Sequence, residues 1–80
     1  MYYVYVLKSE VDGRLYKGFT RDIELRVRQH NSCKVRSTKG YVPWKLVYQE
    51  AYALKEEAIQ RERFLKSGVG REFLKKILAA

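Results

Sequence analysis

Three kinds of polar residue interrupt otherwise apolar patterns in this chain, and their types and spacing suggest chemistry. Arg26 and His30 stand four apart in a stretch where Ile23 and Val27 recur at helical spacing, so they share one helix face. An arginine on such a stripe commonly snorkels from its edge, and a lone histidine is commonly packed or capping. Further on, the 100° step of a helix gathers Leu54, Ala58 and Leu65, with Glu62 projecting between that arc and Ile59. A carboxylate there is costly unless a cation or metal satisfies it, and pairing with Arg61, Arg63 or Lys66 is the plain alternative. Tyr3, Tyr5 and Leu7 alternate onto one strand face, and Tyr16 comes from a neighbouring strand. Taken singly, such tyrosines are core residues with wet or bonded hydroxyls. His30 is the only histidine, so no histidine pair can form for a metal.

The elements that must position these residues follow from the pattern. Tyr2 to Leu7 is aromatic and β-branched on both alternating faces, as in a strand covered on both sides. Asp12-Gly13 is a hairpin turn signal, and Arg14 to Gly18 reads as the returning strand. Thr20 is the expected N-cap of a helix from about Arg21 to His30, with Asp22 and Glu24 in its first turn and Asn31-Ser32 ending it. Ser32 to Pro43 has no periodicity and carries Lys34, Arg36 and Lys39, which predicts an exposed basic loop. Trp44 to Glu50 returns to strand character. Ala53 to Lys66 predicts a helix that Gly68 stops, and Phe73, Leu74, Ile77 and Leu78 mark a last short helix. The order is β-β-α-β-α-α, an α+β arrangement expected to be a small mixed sheet with helices packed on it.

Composition sets the outer bounds. Eighty residues predict one domain over residues 1–80, with 46% hydrophobic residues and room for a modest core. Lys and Arg number 17 against 9 Asp and Glu, a net charge of +8 that suits a polyanion, either nucleic acid or an anionic membrane face. Seven tyrosines and one tryptophan tilt that choice toward nucleic acid, because aromatic faces stack on bases. No apolar run approaches the ~20 residues of a membrane span. Cys33 is the only cysteine, so no internal disulfide forms. With no secretory signal pattern at the start, a cytoplasmic location is expected.

Taken together, several segments resemble a known family. Tyr3-Val4-Tyr5, then Tyr16-Lys17-Gly18, then Arg26-x-x-x-His30-Asn31 and a helical glutamate are similar to the motifs of the GIY-YIG nucleases. The likeness is to small stand-alone members, related to the N-terminal nuclease module of the excision-repair C subunit. Thr38-Lys39, Pro43-Trp44-Lys45-Leu46-Val47-Tyr48 and Glu62-Arg63-Phe64-Leu65-Lys66 also read like that subgroup. Tyr3-Val4 replaces Gly-Ile, Lys17 replaces the Ile of the second motif, and no Asn follows Asn31, where larger members carry one.

The resemblance implies a three-stranded antiparallel sheet flanked by helices. It also implies a metal-dependent endonuclease hydrolysing DNA phosphodiesters, in repair or in processing structured DNA, with RNA left open. Tyr5 and Tyr16 fall on its motif tyrosines, Arg26 on its catalytic arginine and Glu62 on its metal glutamate, the ion being Mg²⁺ or Mn²⁺. In such a site Tyr5 is the expected base and Tyr16 positions water or phosphate. A base role needs positive charge nearby to favour phenolate. Arg26 would donate to the transition-state oxygens, and His30 would relay a proton or bond phosphate. Lys17, Lys34, Arg36, Lys39 and Lys45 would hold flanking phosphates. A monomer is expected, with a protein partner supplying any specificity. One alternative is a nucleic-acid-binding module of the same fold without catalysis. Another is a protein-interaction domain, which leaves the tyrosine–arginine–glutamate pattern unexplained.

Overall fold

The computed structural model describes residues 1–79. A hairpin opens the chain, strand β1 (Tyr2–Ser9) returning as β2 (Leu15–Thr20). Helix α1 (Ile23–Asn31), a 3₁₀ turn (Lys39–Tyr41), β3 (Trp44–Tyr52), α2 (Lys55–Lys66) and α3 (Gly68–Leu78) follow. The sheet order is β2-β1-β3, so the first strand is central and the site-bearing hairpin partner is an edge. Both pairings are antiparallel, and the sheet is therefore antiparallel rather than mixed. The chain direction of β3 decides this. The loop after α1 brings β3 back beside β1 running the other way.

Val4, Tyr5, Val6 and Leu7 are all 0–1% exposed, as the two-sided apolar pattern requires of a covered strand. Their alternation separates two packing faces. Val4 and Val6 meet Ala58, Leu65 and Leu74 of α2 and α3. Tyr5, Leu7 and Trp44 meet Tyr16 and, on α1, Ile23 and Val27. Between Val6↔Tyr48 and Leu7↔Leu46 the register slips, leaving Val47 as an extra residue in a β-bulge.

Gly13 (φ +79°) takes the left-handed position in the turn, and the Asp12 carboxylate accepts from the Arg14 backbone N–H at 3.1 Å. The N-cap of α1 is Asp22 rather than Thr20: its Oδ1 accepts from Leu25 N at 3.1 Å, while Thr20 Oγ1 accepts from Asp22 N one step earlier. A carboxylate at that point also meets the positive end of the helix dipole. Leu54 is exposed, because it is the extended N-cap of α2 and stands outside the apolar arc.

Gly68 does not stop α2. Ser67 does, donating to the Phe64 carbonyl at 2.6 Å while accepting from Gly70 N at 3.2 Å, which makes it the N-cap of α3 as well. Helix α3 thus begins at Gly68, well before Phe73. Gly70 is buried, and a Cβ there would lie 1.9 Å from the Phe64 carbonyl oxygen. The missing side chain lets the two helices meet at a tight corner.

One polar knot fixes α2 on the sheet. Arg61 donates from Nε and Nη2 to both Glu50 oxygens of β3 at 2.9 and 3.0 Å, and the Tyr48 and Tyr52 hydroxyls donate to the same carboxylate. The guanidinium also lies over Phe64 and Phe73, 4.7 and 5.0 Å from the ring centroids. Burial and the shared carboxylate push the Tyr52 phenol up to about 12. With Arg61 held toward β3, Glu62 is turned about 100° away from it around α2.

Candidate active site at the edge of strand β2

The register Tyr5↔Gly18 lays the Tyr5 ring directly across the glycine of β2. A Cβ at Gly18 would be 2.6 Å from the Tyr5 hydroxyl oxygen, so only glycine lets the phenol reach the sheet edge. Tyr16, paired with Leu7, sits on the same face, its ring centroid 6.2 Å from that of Tyr5. His30, in the last turn of α1, is edge-on to both rings at 5.9 and 4.8 Å.

His30 is fully buried and its two nitrogens are both engaged. Nε2 is 3.0 Å from the Tyr5 hydroxyl, and Nδ1 is 2.8 Å from Thr38 Oγ1. The Thr38 hydroxyl donates to the Val35 carbonyl at 3.3 Å, so it accepts from Nδ1–H. That choice leaves Nε2 bare, and the Tyr5 hydroxyl donates to it. Burial, with Arg26 adding to it, pulls the His30 imidazole down to about 4, so it is neutral at pH 7. The Tyr5 phenol is pushed up to about 12 by burial, which outweighs the Arg26 guanidinium beside its hydroxyl. Tyr16 and Glu62 add to the rise by their charge. Tyr5 is therefore a protonated phenol with its proton committed to His30, not a resident phenolate.

Thr38 was not legible as a site residue. It lies in the segment expected to be an exposed loop, yet it is 1% exposed because Trp44 Nε1 donates to its carbonyl at 2.9 Å. Asn31 likewise does more than end a helix. Its amide accepts from Trp44 N at 2.6 Å and donates to Trp44 O at 3.0 Å, tying α1 to the start of β3. The only hint in the sequence was that both residues stand inside the resembling motifs.

Arg26 is half-buried and donates from Nη1 to Gln29 Oε1 at 3.0 Å. Glu62 reaches the same edge from the opposite sheet face. Its side chain is 17% exposed and its one ion-pair partner among the described residues is Lys66, at a loose 3.4 Å. No group of three or more His, Cys, Asp or Glu gathers anywhere among the described residues. A single hard oxygen donor with an exchangeable lysine partner fits a cation that keeps most of its waters, as Mg²⁺ and Mn²⁺ do, and does not fit a zinc cage.

The basic residues divide. Lys34, Arg36 and Lys39 are exposed on the segment after α1. Lys45 pairs across from Lys8 on the sheet face opposite Tyr5, beside a depression of about 490 Å³ lined by Lys8, Ser9, Glu10 and Gly13. The structure does not bring Lys45 to the tyrosines. Lys17, paired with Val6, also faces the α2–α3 side, where partial burial and then Arg71 and Lys66 lower its pKa.

The GIY-YIG catalytic domain family matches residues 1–76. A UPF0213 protein of Staphylococcus epidermidis is 42% identical over 77 residues, covering 95% of this chain and 93% of its own. One from Clostridium perfringens is 45% identical over 67 residues, 82% of this chain and 71% of its own. The solution NMR structure of the UPF0213 protein BH0048 of Bacillus halodurans matches with a TM-score of 0.58 at 37% identity, covering 96% of this chain and 85% of that one. No helix among the described residues is long and apolar enough to cross a membrane.

Proposed function

The chain belongs to the GIY-YIG catalytic domain family, and from that premise we propose that residues 1–80 form one metal-dependent endonuclease domain hydrolysing DNA phosphodiesters in repair or in processing structured DNA. The observation that carries this reading is the packing of Tyr5, Tyr16 and His30 against one another with Tyr5 across Gly18, where the charges of Arg26 and Glu62 also act on the Tyr5 phenol.

The residues divide the work. Arg26 donates to the non-bridging oxygens of the scissile phosphate, where negative charge grows in the transition state. Its neutralisation by phosphate also relieves one of the two causes that hold His30 low. Tyr5 keeps its oxygen lone pairs toward the edge because its proton points at Nε2. It accepts the proton of an attacking water as its own passes to His30, while Thr38 fixes the imidazole in the tautomer able to receive it. Tyr16, half-exposed, orients the water or the phosphate. Glu62 holds the divalent cation, whose contribution when bound is Lewis-acid stabilisation of the leaving oxygen. Lys34, Arg36 and Lys39 follow flanking phosphates.

A panel of duplex, flap, branched and single-stranded DNAs with matched RNAs, each with Mg²⁺ or Mn²⁺, tests the proposal. The expected result is cleavage that needs the ion and disappears in Glu62→Gln. Salt-sensitive binding with no cleavage in any arm would overturn it in favour of the non-catalytic module.

A further inference from the structure

We propose that Lys17, Lys66 and Arg71 form a phosphate-holding cluster that grips the nucleic-acid backbone on the α2–α3 side of β2, so that the strand crosses the sheet edge at Gly18. This deepens the nuclease reading and rests on it for the identity of the polyanion.

The cluster is assembled from three elements. The register Val6↔Lys17 turns Lys17 away from the tyrosines, toward the face that α2 and α3 cover. Lys66 is the last residue of α2 and Arg71 lies in the first turn of α3. The side-chain-free Gly70, pressed on the Phe64 carbonyl, closes the corner between them. Lys17 is half-buried there and Lys66 and Arg71 are exposed around it; after burial itself, their charges are what lowers the Lys17 pKa.

Two of the three charges have no ion-pair partner among the described residues. Among the described residues the four ion pairs are Arg14–Asp12, Arg61–Glu50, Lys66–Glu62 and Lys75–Glu72. Lys17 and Arg71 take part in none, and Lys66 is only loosely shared. Gathering like charges around a half-buried lysine is unfavourable unless an anion joins them. A backbone phosphate suits the geometry, since a guanidinium grips two oxygens and two ammonium groups act as point charges. Arg26 and the basic segment after α1 lie on the other face. Phosphates held on both faces require the strand to pass over the β2 edge, where Gly18 carries no side chain.

Fluorescence anisotropy with a short labelled DNA duplex and its single strand, in EDTA over a range of salt, reads this directly on the full chain. Lys17→Gln with Arg71→Gln should weaken binding about tenfold at low salt and lower the log–log salt slope by roughly one per lost phosphate contact. Lys17→Arg with Arg71→Lys should retain both, and circular dichroism should show all variants folded. A double variant that is folded and binds with parental affinity and slope would overturn the cluster. So would an equal loss in the conservative pair, which would make the positions structural. If the parent cleaves DNA while the glutamine pair binds unchanged, the cluster falls and the nuclease stands. If the parent cleaves nothing while the slope falls as expected, the nuclease reading falls and the cluster stands.

Discussion

The two sides of strand β2 are built on opposite physical terms. On the α1 side, Tyr5, His30 and Thr38 form a buried chain in which every polar atom has a partner within 3.0 Å of its neighbour. On the α2–α3 side, Glu62, Lys66, Lys17 and Arg71 are half-buried or exposed, and the one carboxylate is held at 3.4 Å. The dry side fixes a tautomer and moves pKa values by units. The wet side keeps its charges exchangeable. Moving a proton along a defined path needs the first arrangement, because an ambiguous hydrogen bond has no direction. Admitting an ion and a phosphate needs the second, because a saturated carboxylate accepts neither. The contrast teaches that one edge can hold both arrangements by dividing them between sheet faces.

The largest expected effect tests whether the dry side acts on the reaction at all. Arg26→Ala should lower cleavage about 10²- to 10³-fold, with thermal unfolding little changed. Cleavage at the parental rate would make Arg26 a structural edge residue. Next comes acid stability. The His30 pKa is lowered from 6.5 to about 4 on folding, so below pH 6.5 the unfolded chain takes up a proton that the folded chain refuses. Stability from this group is therefore complete above about pH 6.5 and lost as pH falls toward 4, a span on the order of 3 kcal/mol. Urea unfolding across that window should slope for the parent and flatten for His30→Gln.

Gly18→Ala should cost about 1–3 kcal/mol, because the new methyl displaces the Tyr5 hydroxyl. The His30 ring nitrogen shifts, read by NMR, should then lose the signature of a single tautomer. Thr38→Val should cost about 1–2 kcal/mol by orphaning Nδ1–H, and Thr38→Ser should restore it. The smallest stability effect belongs to the wet side. Glu62→Gln should change unfolding free energy by no more than about 0.5 kcal/mol. Paramagnetic broadening by Mn²⁺ near residue 62 should nevertheless vanish. A large stability loss there would erase the contrast between the two faces.

The order of elements was legible in the sequence, and the phase of the periodic elements singled out Tyr5, Tyr16, Arg26, His30 and Glu62, while only the family resemblance attached roles to them. Tyr5 and Tyr16 follow from strand alternation, and Arg26, His30 and Glu62 from helical phase. What was not legible depends on contacts between distant segments. Thr38 sits in an aperiodic polar stretch, and only Trp44 packing buries it. Gly18 reads as a poor strand residue until the Tyr5 ring is seen to occupy its missing side chain. The start of α3 was misread because Gly68-Val69-Gly70 has low helix propensity, which the packing of Gly70 on Phe64 overrides. Burial also reverses a simple electrostatic expectation at Tyr5, where desolvation exceeds the help of Arg26.

The Lys66–Glu62 pair has a consequence for how this molecule withstands scarcity. Proteins whose folding free energy comes from a bound ion collapse when a chelator removes it. Here Lys66 pairs with Glu62, so the carboxylate is not orphaned without an ion, and the fold rests on two apolar layers. An excess of EDTA should leave the melting curve where it was, and added Mg²⁺ should raise it only as the logarithm of one plus the ratio of its concentration to its Kd. Such a chain can be synthesised, stored and degraded on a schedule independent of metal supply.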